Sequence, residues 1–279
     1  MSASERGAAS GAGTSRAATG RAAHKVAAEA DGLRAFACAI LVCGGSGTRF
    51  GNPGGKQLVD IAGRPMMSWS IGTFDRSELV GHIVVVCPSD KRDEMRRRAV
   101  EPFAFQTPIT FADAGATRQD STRAGLEAVP AGFSCVAVHD GARPLITVEA
   151  IDRAIRALAE DEALDGVVCG QPAIDTLKRA DADGIILDTP PRTEFWTVQT
   201  PQVFRTERLR RACTAADATG FVGTDDASLV ERAGGRVRCI ASPRDNLKVT
   251  VPEDLGLVDA LMRVRLRNEG SAVGVPSTT

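Results

Sequence analysis

ILVCGGSGTRFGNPGGKQ, residues 40–57, is the stretch that decides how the rest of the chain is read. A short apolar run, Ala39-Ile40-Leu41-Val42, stops at Gly44, Gly45 and Gly47, and one arginine, Arg49, and one lysine, Lys56, follow it. Glycines let backbone N–H groups come close to an anion, and a concave run of such groups suits phosphate oxygens. Two familiar phosphate loops do not fit. A P-loop needs glycine where Phe50 stands and Ser or Thr where Gln57 stands, and the dinucleotide fingerprint needs its third glycine at Phe50. What remains is a glycine loop carrying its own two cations, suited to steadying charge on a nucleotide's phosphates. The plain alternative is a strand-to-loop turn without chemistry.

The chain has 279 residues and a formal charge of -1. That length carries a sizeable core, and no global basic field draws it to nucleic acid or a membrane surface. Its apolar runs, such as Ile83-Val84-Val85-Val86-Cys87, are too short to span a bilayer, so a soluble protein is expected. The seven cysteines are scattered without a CxxC pair, which points to reduced thiols in a cytoplasmic-type compartment. His24, His82 and His139 form no zinc pattern. Lysine is scarce beside arginine, being confined to Lys25, Lys56, Lys91, Lys178 and Lys248, so each retained lysine carries more information than usual.

Residues 1–34 are rich in Ala, Gly, Ser, Thr and Arg and read as a disordered tail. Their composition also fits an organellar transit peptide, which would move the expected location from cytoplasm to a plastid-type organelle. Residues 35–267 read as a single domain and 268–279 as a second tail. Strand patterns over 39–42, 82–87, 109–112, 135–139 and 166–169 alternate with helical patterns over 65–75, 90–100, 120–128 and 148–160. That alternation predicts an α/β fold, a mostly parallel sheet flanked by helices on both faces, with ligands beyond the carboxyl ends of the strands. The alternation breaks over 171–194, where 173–179 and 184–188 read as a projecting β-hairpin arm with a second subunit as its natural support, the plain alternative being a lid over the chain's own active site. Helices over 207–215 and 226–234, a strand over 237–240 and a helix over 252–267 complete the expectation.

Beyond the first loop, several motifs carry chemistry. His139-Asp140-Gly141-Ala142-Arg143-Pro144 ends a strand with a carboxylate, fit for a metal ion or a substrate hydroxyl, or only for a turn cap. Ala114-Gly115-Ala116-Thr117-Arg118-Gln119-Asp120-Ser121 joins strand to helix and could hold a base and ribose, or merely cap the helix. Asp175-Thr176-Leu177-Lys178, Arg192, Gln199-Thr200-Pro201-Gln202, Thr224-Asp225-Asp226-Ala227 and Asn246-Leu247-Lys248-Val249-Thr250 supply the hydroxyls and cations that a phosphorylated polyol needs.

In this order and spacing, the motifs resemble the 2-C-methyl-D-erythritol 4-phosphate cytidylyltransferase family of the non-mevalonate isoprenoid pathway, over residues 40–255. The resemblance implies a Rossmann-like, glycosyltransferase-A type nucleotidyltransferase fold and a homodimer whose dimerisation arm reaches into the partner's site. It implies a magnesium or other divalent ion held mainly through the CTP phosphates, with no metal-ligating side chain named. By the same resemblance Arg49 and Lys56 are the catalytic pair, and Cys43, Gly44, Gly45, Gly47, Gly115, Arg118, Ser121 and Gly141 hold CTP. Asp140, Thr176, Arg192, Thr200, Thr224 and Lys248 hold the sugar phosphate, with Thr176 and Arg192 donated across the dimer. The chain departs from the family pattern at Cys43, Gly44, Gly55 and Ala114. A cytidylyltransferase for another polyol phosphate, such as ribitol 5-phosphate, and a catalytically silent nucleotide-binding module are the alternatives.

Overall fold

The computed structural model describes residues 36–45 and 55–271, so the expected tail over 1–34 and the loop residues Gly47 and Arg49 lie outside the described residues. The sequence ACAILV forms β1 (Ala37–Val42), which is covered on both faces. Side chains alternate across a strand. Ala37, Ala39 and Leu41 join one apolar cluster, while Cys38 and Ile40 join the other.

A two-stranded ladder, β2 (Asp60–Ile61) with β3 (Arg64–Pro65), leads into α1 (Met66–Arg76). Next come β4 (Val80–Cys87), α2 (Arg92–Met95) running on as a π turn over Arg96–Val100, β5 (Ile109–Asp113) and α3 (Arg118–Glu127). Thr117 starts α3 with a capping box: its hydroxyl accepts from the Asp120 N–H while the Asp120 carboxylate accepts from the Thr117 N–H. β6 (Cys135–Asp140), α4 (Val148–Ala159) and β7 (Gly166–Pro172) follow. Beyond them come β8 (Arg179–Ala180), β9 (Ile186–Asp188), β10 (Trp196–Arg205), α5 (Thr206–Thr219), α6 (Asp226–Arg232), β11 (Val237–Ala241) and α7 (Asp254–Ser271).

The main sheet has seven strands in the order β11-β7-β10-β6-β1-β4-β5. β1 pairs in parallel with β4 and β6, β4 with β5 and β7 with β11, whereas β10 runs antiparallel between β6 and β7. The mostly parallel sheet expected from the alternation is therefore present. Met67, Ile71 and Phe74 of α1 and Ile151, Ile155 and Leu158 of α4 fill one side. Leu126 of α3 with Leu209, Ala212 and Cys213 of α5 fills the other. A third cluster packs Val258 and Met262 of α7 onto Ile61, Leu145 and Val249, which fixes the segment around Lys248 against the sheet's carboxyl rim.

Several elements differ from the sequence expectation, three of them with a bearing on the site or its surroundings. β10 is a strand that the sequence does not announce, because WTVQTPQVFR does not alternate cleanly in hydropathy and Pro201 brings no ladder donor. Its pairing with β7 jumps from Val198 to Gln202 at that point. The arm is less regular than a hairpin over 173–179 and 184–188: only β8 and β9 pair, and both are exposed. α7 runs on to Ser271, past the expected end at 267.

Where β6 ends, His139 is fully buried and tilted against Phe74 at 5.2 Å between ring centroids. Its Nε2 lies 3.3 Å from the Arg143 carbonyl, which can only accept, so Nε2 carries the proton. Nδ1 is then an acceptor for the Thr200 hydroxyl, 3.0 Å away. Burial lowers the His139 pKa from 6.5 to about 4. The unfolded chain therefore binds a proton here that the folded chain refuses, and stability falls as pH drops from about 6.5 towards 4. His139→Asn, which retains an acceptor near Nδ1 but does not titrate, should flatten the fall in melting temperature across that window. An unchanged pH slope would show that His139 does not set it.

Candidate active site

A cleft of about 620 Å³ opens at the carboxyl rim of the sheet, bounded by the ends of β1 and β6, the start of α3 and the segment around Lys248. Its size suits a small ligand. Of the residues singled out in the sequence, Gly44, Gly45, Lys56, Gly115, Arg118, Ser121, Asp140 and Lys248 all line it. They come from widely separated parts of the chain, yet all but Lys248, which lies in the segment between β11 and α7, stand at or just beyond the end of a strand or in the first turn of a helix. The rim rule for parallel sheets accounts for the convergence.

Asp140, the last residue of β6, is the charge around which the cleft is arranged. Its Oδ2 is 2.8 Å from Lys248 Nζ and 3.6 Å from Arg143 Nε, and its Oδ1 is 3.5 Å from Arg118 Nε. Burial pushes the carboxyl up, but Lys248, then Arg118 and Arg143, outweigh it and hold Asp140 well below the usual carboxylate range. Its backbone N–H donates to the Thr200 hydroxyl at 3.0 Å. Thr200 thus accepts from Asp140 and donates to His139, and it is buried beneath the cleft rather than lining it.

Lys56 opens a short 3-10 turn, and its Nζ donates to the Val249 carbonyl at 2.9 Å. That bond ties the lysine to the segment that carries Lys248. Ser121 donates its hydroxyl to the Thr117 carbonyl at 2.9 Å. Cys43 and Gly141 are buried behind the wall, packed so that a Cβ on Gly141 would meet Cys43 Sγ at 2.5 Å. Burial pushes the Cys43 thiol far up, so it is a packing residue in this wall and not a nucleophile.

Three expected residues stand apart from the cleft within this chain. Thr176 and Arg192 are exposed on or beside the arm, where Arg192 Nη1 donates to the Ile174 carbonyl at 2.6 Å. Thr224 is exposed just before α6. Gly47 and Arg49 lie outside the described residues.

The sequence reading gave no role to Arg143, Gln57 or Gln202. Arg143 stands three positions after Asp140 in the same turn and donates Nη1 to the Asn246 carbonyl at 2.8 Å, which joins the two cationic segments. The spacing of Asp140 and Arg143 was the available signal. Gln57 lines the cleft next to Lys56, and its Oε1 is a buried acceptor without a partner. Nothing in the pattern announced it.

Among the described residues no group of three or more His, Cys, Asp or Glu side chains could hold a metal ion. The carboxylate in the cleft already faces three cations, so these residues do not fit a protein-held divalent ion. They fit an anionic ligand, and a triphosphate would bring its own oxygens for such an ion.

Residues 37–264 match the family described as IspD: 2-C-methyl-D-erythritol 4-phosphate cytidylyltransferase. The enzyme of that name from Caldanaerobacter subterraneus subsp. tengcongensis is 39% identical over 225 residues, covering 81% of this chain and 98% of its own. That from Parasynechococcus marenigrum is 38% identical, covering 81% and 97%. Among solved structures, 4-diphosphocytidyl-2C-methyl-D-erythritol synthase from Anaerococcus prevotii superposes with a TM-score of 0.72 at 27% identity, covering 82% of this chain and 98% of that one. A sheet order, a cationic cleft and a family match that agree over nearly the whole described length place this chain in the 2-C-methyl-D-erythritol 4-phosphate cytidylyltransferase family.

Proposed function

We propose that this nucleotidyltransferase moves a cytidylyl group from CTP to 2-C-methyl-D-erythritol 4-phosphate, giving 4-diphosphocytidyl-2-C-methyl-D-erythritol and pyrophosphate. The observation that carries the reading is the cationic cleft at the rim, lined by Lys56, Arg118 and Lys248, where Arg118, Lys248 and the half-buried Arg143 converge around a single carboxylate. A phosphate oxygen of the polyol phosphate forms a bond to the α-phosphorus of CTP as the bond from that phosphorus to the bridging oxygen breaks, and pyrophosphate leaves with the electron pair.

The nucleophile needs no base, because the second pKa of a phosphate monoester is about 6 and the group is ionised near neutrality. His139 is no candidate for that role in any case: it is buried, neutral, and has both ring nitrogens engaged. The chain's contribution is alignment and charge stabilisation. Lys56, with Arg49 from the segment outside the described residues, is assigned to the charge that builds on the α-phosphate. Gly44, Gly45, Gly47, Gly115, Arg118 and Ser121 are assigned to the nucleotide, with Cys43 and Gly141 as the wall behind it. Lys248 and Asp140 are assigned to the polyol phosphate, and Thr200 to its hydroxyls through its hold on Asp140. A divalent cation, magnesium in the first instance, is proposed to travel on the CTP phosphates.

Thr176 and Arg192 stand on or beside an arm whose Ile174, Ile185, Ile186 and Leu187 are each more than half exposed. Apolar side chains in such a row mark a surface to be covered. The proposed arrangement is a homodimer in which each arm lies over the partner's cleft and delivers these two residues there. No helix among the described residues is long and apolar enough to cross a membrane, and all seven cysteines are free thiols. A cytoplasmic location is proposed on that chemistry.

Pyrophosphate release from CTP should be supported by 2-C-methyl-D-erythritol 4-phosphate far better than by ribitol 5-phosphate, and equal or reversed preference would overturn the substrate assignment. Lys56→Ala should lower turnover by roughly a hundredfold or more at little change in melting temperature. Full turnover in that variant would remove Lys56 from the mechanism.

The departures at Gly44 and Ala114 have a steric logic. A Cβ on Gly44 would lie 2.4 Å from the Ala114 Cβ, inside any real contact distance, so one of the two positions must be glycine. Gly44→Ala should therefore raise the KM for CTP several-fold by pushing the cleft walls apart, and Ala114→Gly in the same chain should restore it. A double variant no better than Gly44→Ala would show that the two walls do not share this contact.

A further inference from the structure

The cleft residue Arg118 is held from behind by a carboxylate to which nothing above gives a part. Asp226, the first residue of α6, is 1% exposed, and its Oδ2 accepts from Arg118 Nη1 at 2.8 Å. The Arg118 side chain is 30% exposed, so one end of this pair is in the interior and the other reaches the cleft. Arg118 Nε faces Asp140 at 3.5 Å. With Nη1 and Nε committed, Nη2 is the guanidinium nitrogen without a protein partner among the described residues, and Arg118 lines the cleft.

Asp226 is itself fixed. Gln202 of β10 accepts through Oε1 from the N–H groups of Asp226 at 3.1 Å and Ala227 at 3.2 Å, while its Nε2 donates to Asp225 Oδ2 at 2.7 Å. Asp225 caps α6 in a capping box with Ser228. One glutamine therefore pins the start of the helix that carries Asp226. Burial raises the Asp226 carboxyl, with Arg118 and the Thr122 hydroxyl opposing. A carboxylate buried this deeply is costly in the protein interior, and hydrophobic packing at the same place would be cheaper. Its retention calls for a reason other than stability.

We propose that Asp226 is a positioning residue for the nucleotide: by clamping one edge of the Arg118 guanidinium it presents the free edge to CTP in a fixed orientation. A planar fork held on two sides loses little freedom when the third side binds, so the gain falls on nucleotide affinity. The step rests on the reading of the cleft as a CTP site and extends it to a residue 108 positions away from Arg118 in the chain.

The test is a double-mutant cycle on the full chain, with kcat and the KM for each substrate as readouts. Asp226→Asn should raise the KM for CTP about tenfold, as expected for weakening a hydrogen bond to a charged group, and leave the KM for the polyol phosphate and kcat within about twofold. In the Arg118→Ala chain the same substitution should add nothing further. Should Asp226→Asn fail to fold, Asp226→Ser, which leaves room for water, carries the same expectation. Effects of the two substitutions that multiply, or a loss spread equally over both KM values and kcat, would overturn the proposal while leaving the enzyme assignment intact. A wild-type chain that releases no pyrophosphate from CTP would overturn the assignment, and this proposal with it.

Discussion

A buried carboxylate that must be kept charged is the constraint on which the arrangement of this molecule depends. Asp140 sits at the end of a central strand, 7% exposed, where an unpaired negative charge would be untenable. Lys248, Arg118 and Arg143 stand around it because each is delivered by a different piece of the fold: the segment packed under α7, the start of α3, and the turn after β6. The ion pairs thus do more than balance charge. They bring the two sides of the cleft to a common point, and Arg118 and Lys248, which line the cleft, remain open to whatever anion enters while Arg143 braces the carboxylate from behind. A site for triphosphate and phosphate needs cations that are fixed yet not fully spent, and one carboxylate shared among three of them meets that need.

β10 performs the complementary task from below. As the antiparallel strand between β6 and β7, it places Thr200 beneath Asp140 and Gln202 beneath the start of α6. Asn246, fully buried, donates to the Thr200 carbonyl at 2.9 Å and so ties the Lys248 segment to the same strand. Thr200 and Gln202, the buried polar residues of β10, are therefore internal partners. They serve the site through other residues, Thr200 through Asp140 and Gln202 through Asp226.

Much of this was legible in the sequence, for reasons that also explain what was not. β1, β4 and β6 are buried on both faces, so their runs of Val, Ile, Ala and Cys stand out against polar surroundings. The cleft residues were legible because glycine, a lone lysine and the HDGARP turn are uncommon in such runs. β10 was not, since a strand whose side chains hydrogen-bond inward does not alternate in hydropathy. Asp226 was quoted only within its motif, because its significance lies in a contact with Arg118 more than a hundred positions away. Gln57 carried no signal, because a single glutamine beside a lysine has many explanations until its buried oxygen is seen to have no partner.

The arm marks the limit of what one chain encodes about its own site. A ladder as short as β8 with β9 has too few cross-strand pairs to stand alone in water, and Arg179 bonded to Asp188 at 2.9 Å is an exposed pair of little weight. Yet the arm keeps Ile174, Ile185, Ile186 and Leu187 on its surface where polar residues would serve a monomer better. Those apolar side chains, together with the distance of Thr176 and Arg192 from the cleft of their own chain, make sense if the covering surface and the remaining substrate contacts come from a second copy. Under that proposal the arm's weak internal structure is no defect: its order would come from docking, and the two clefts of a dimer would be completed by the same event that assembles it.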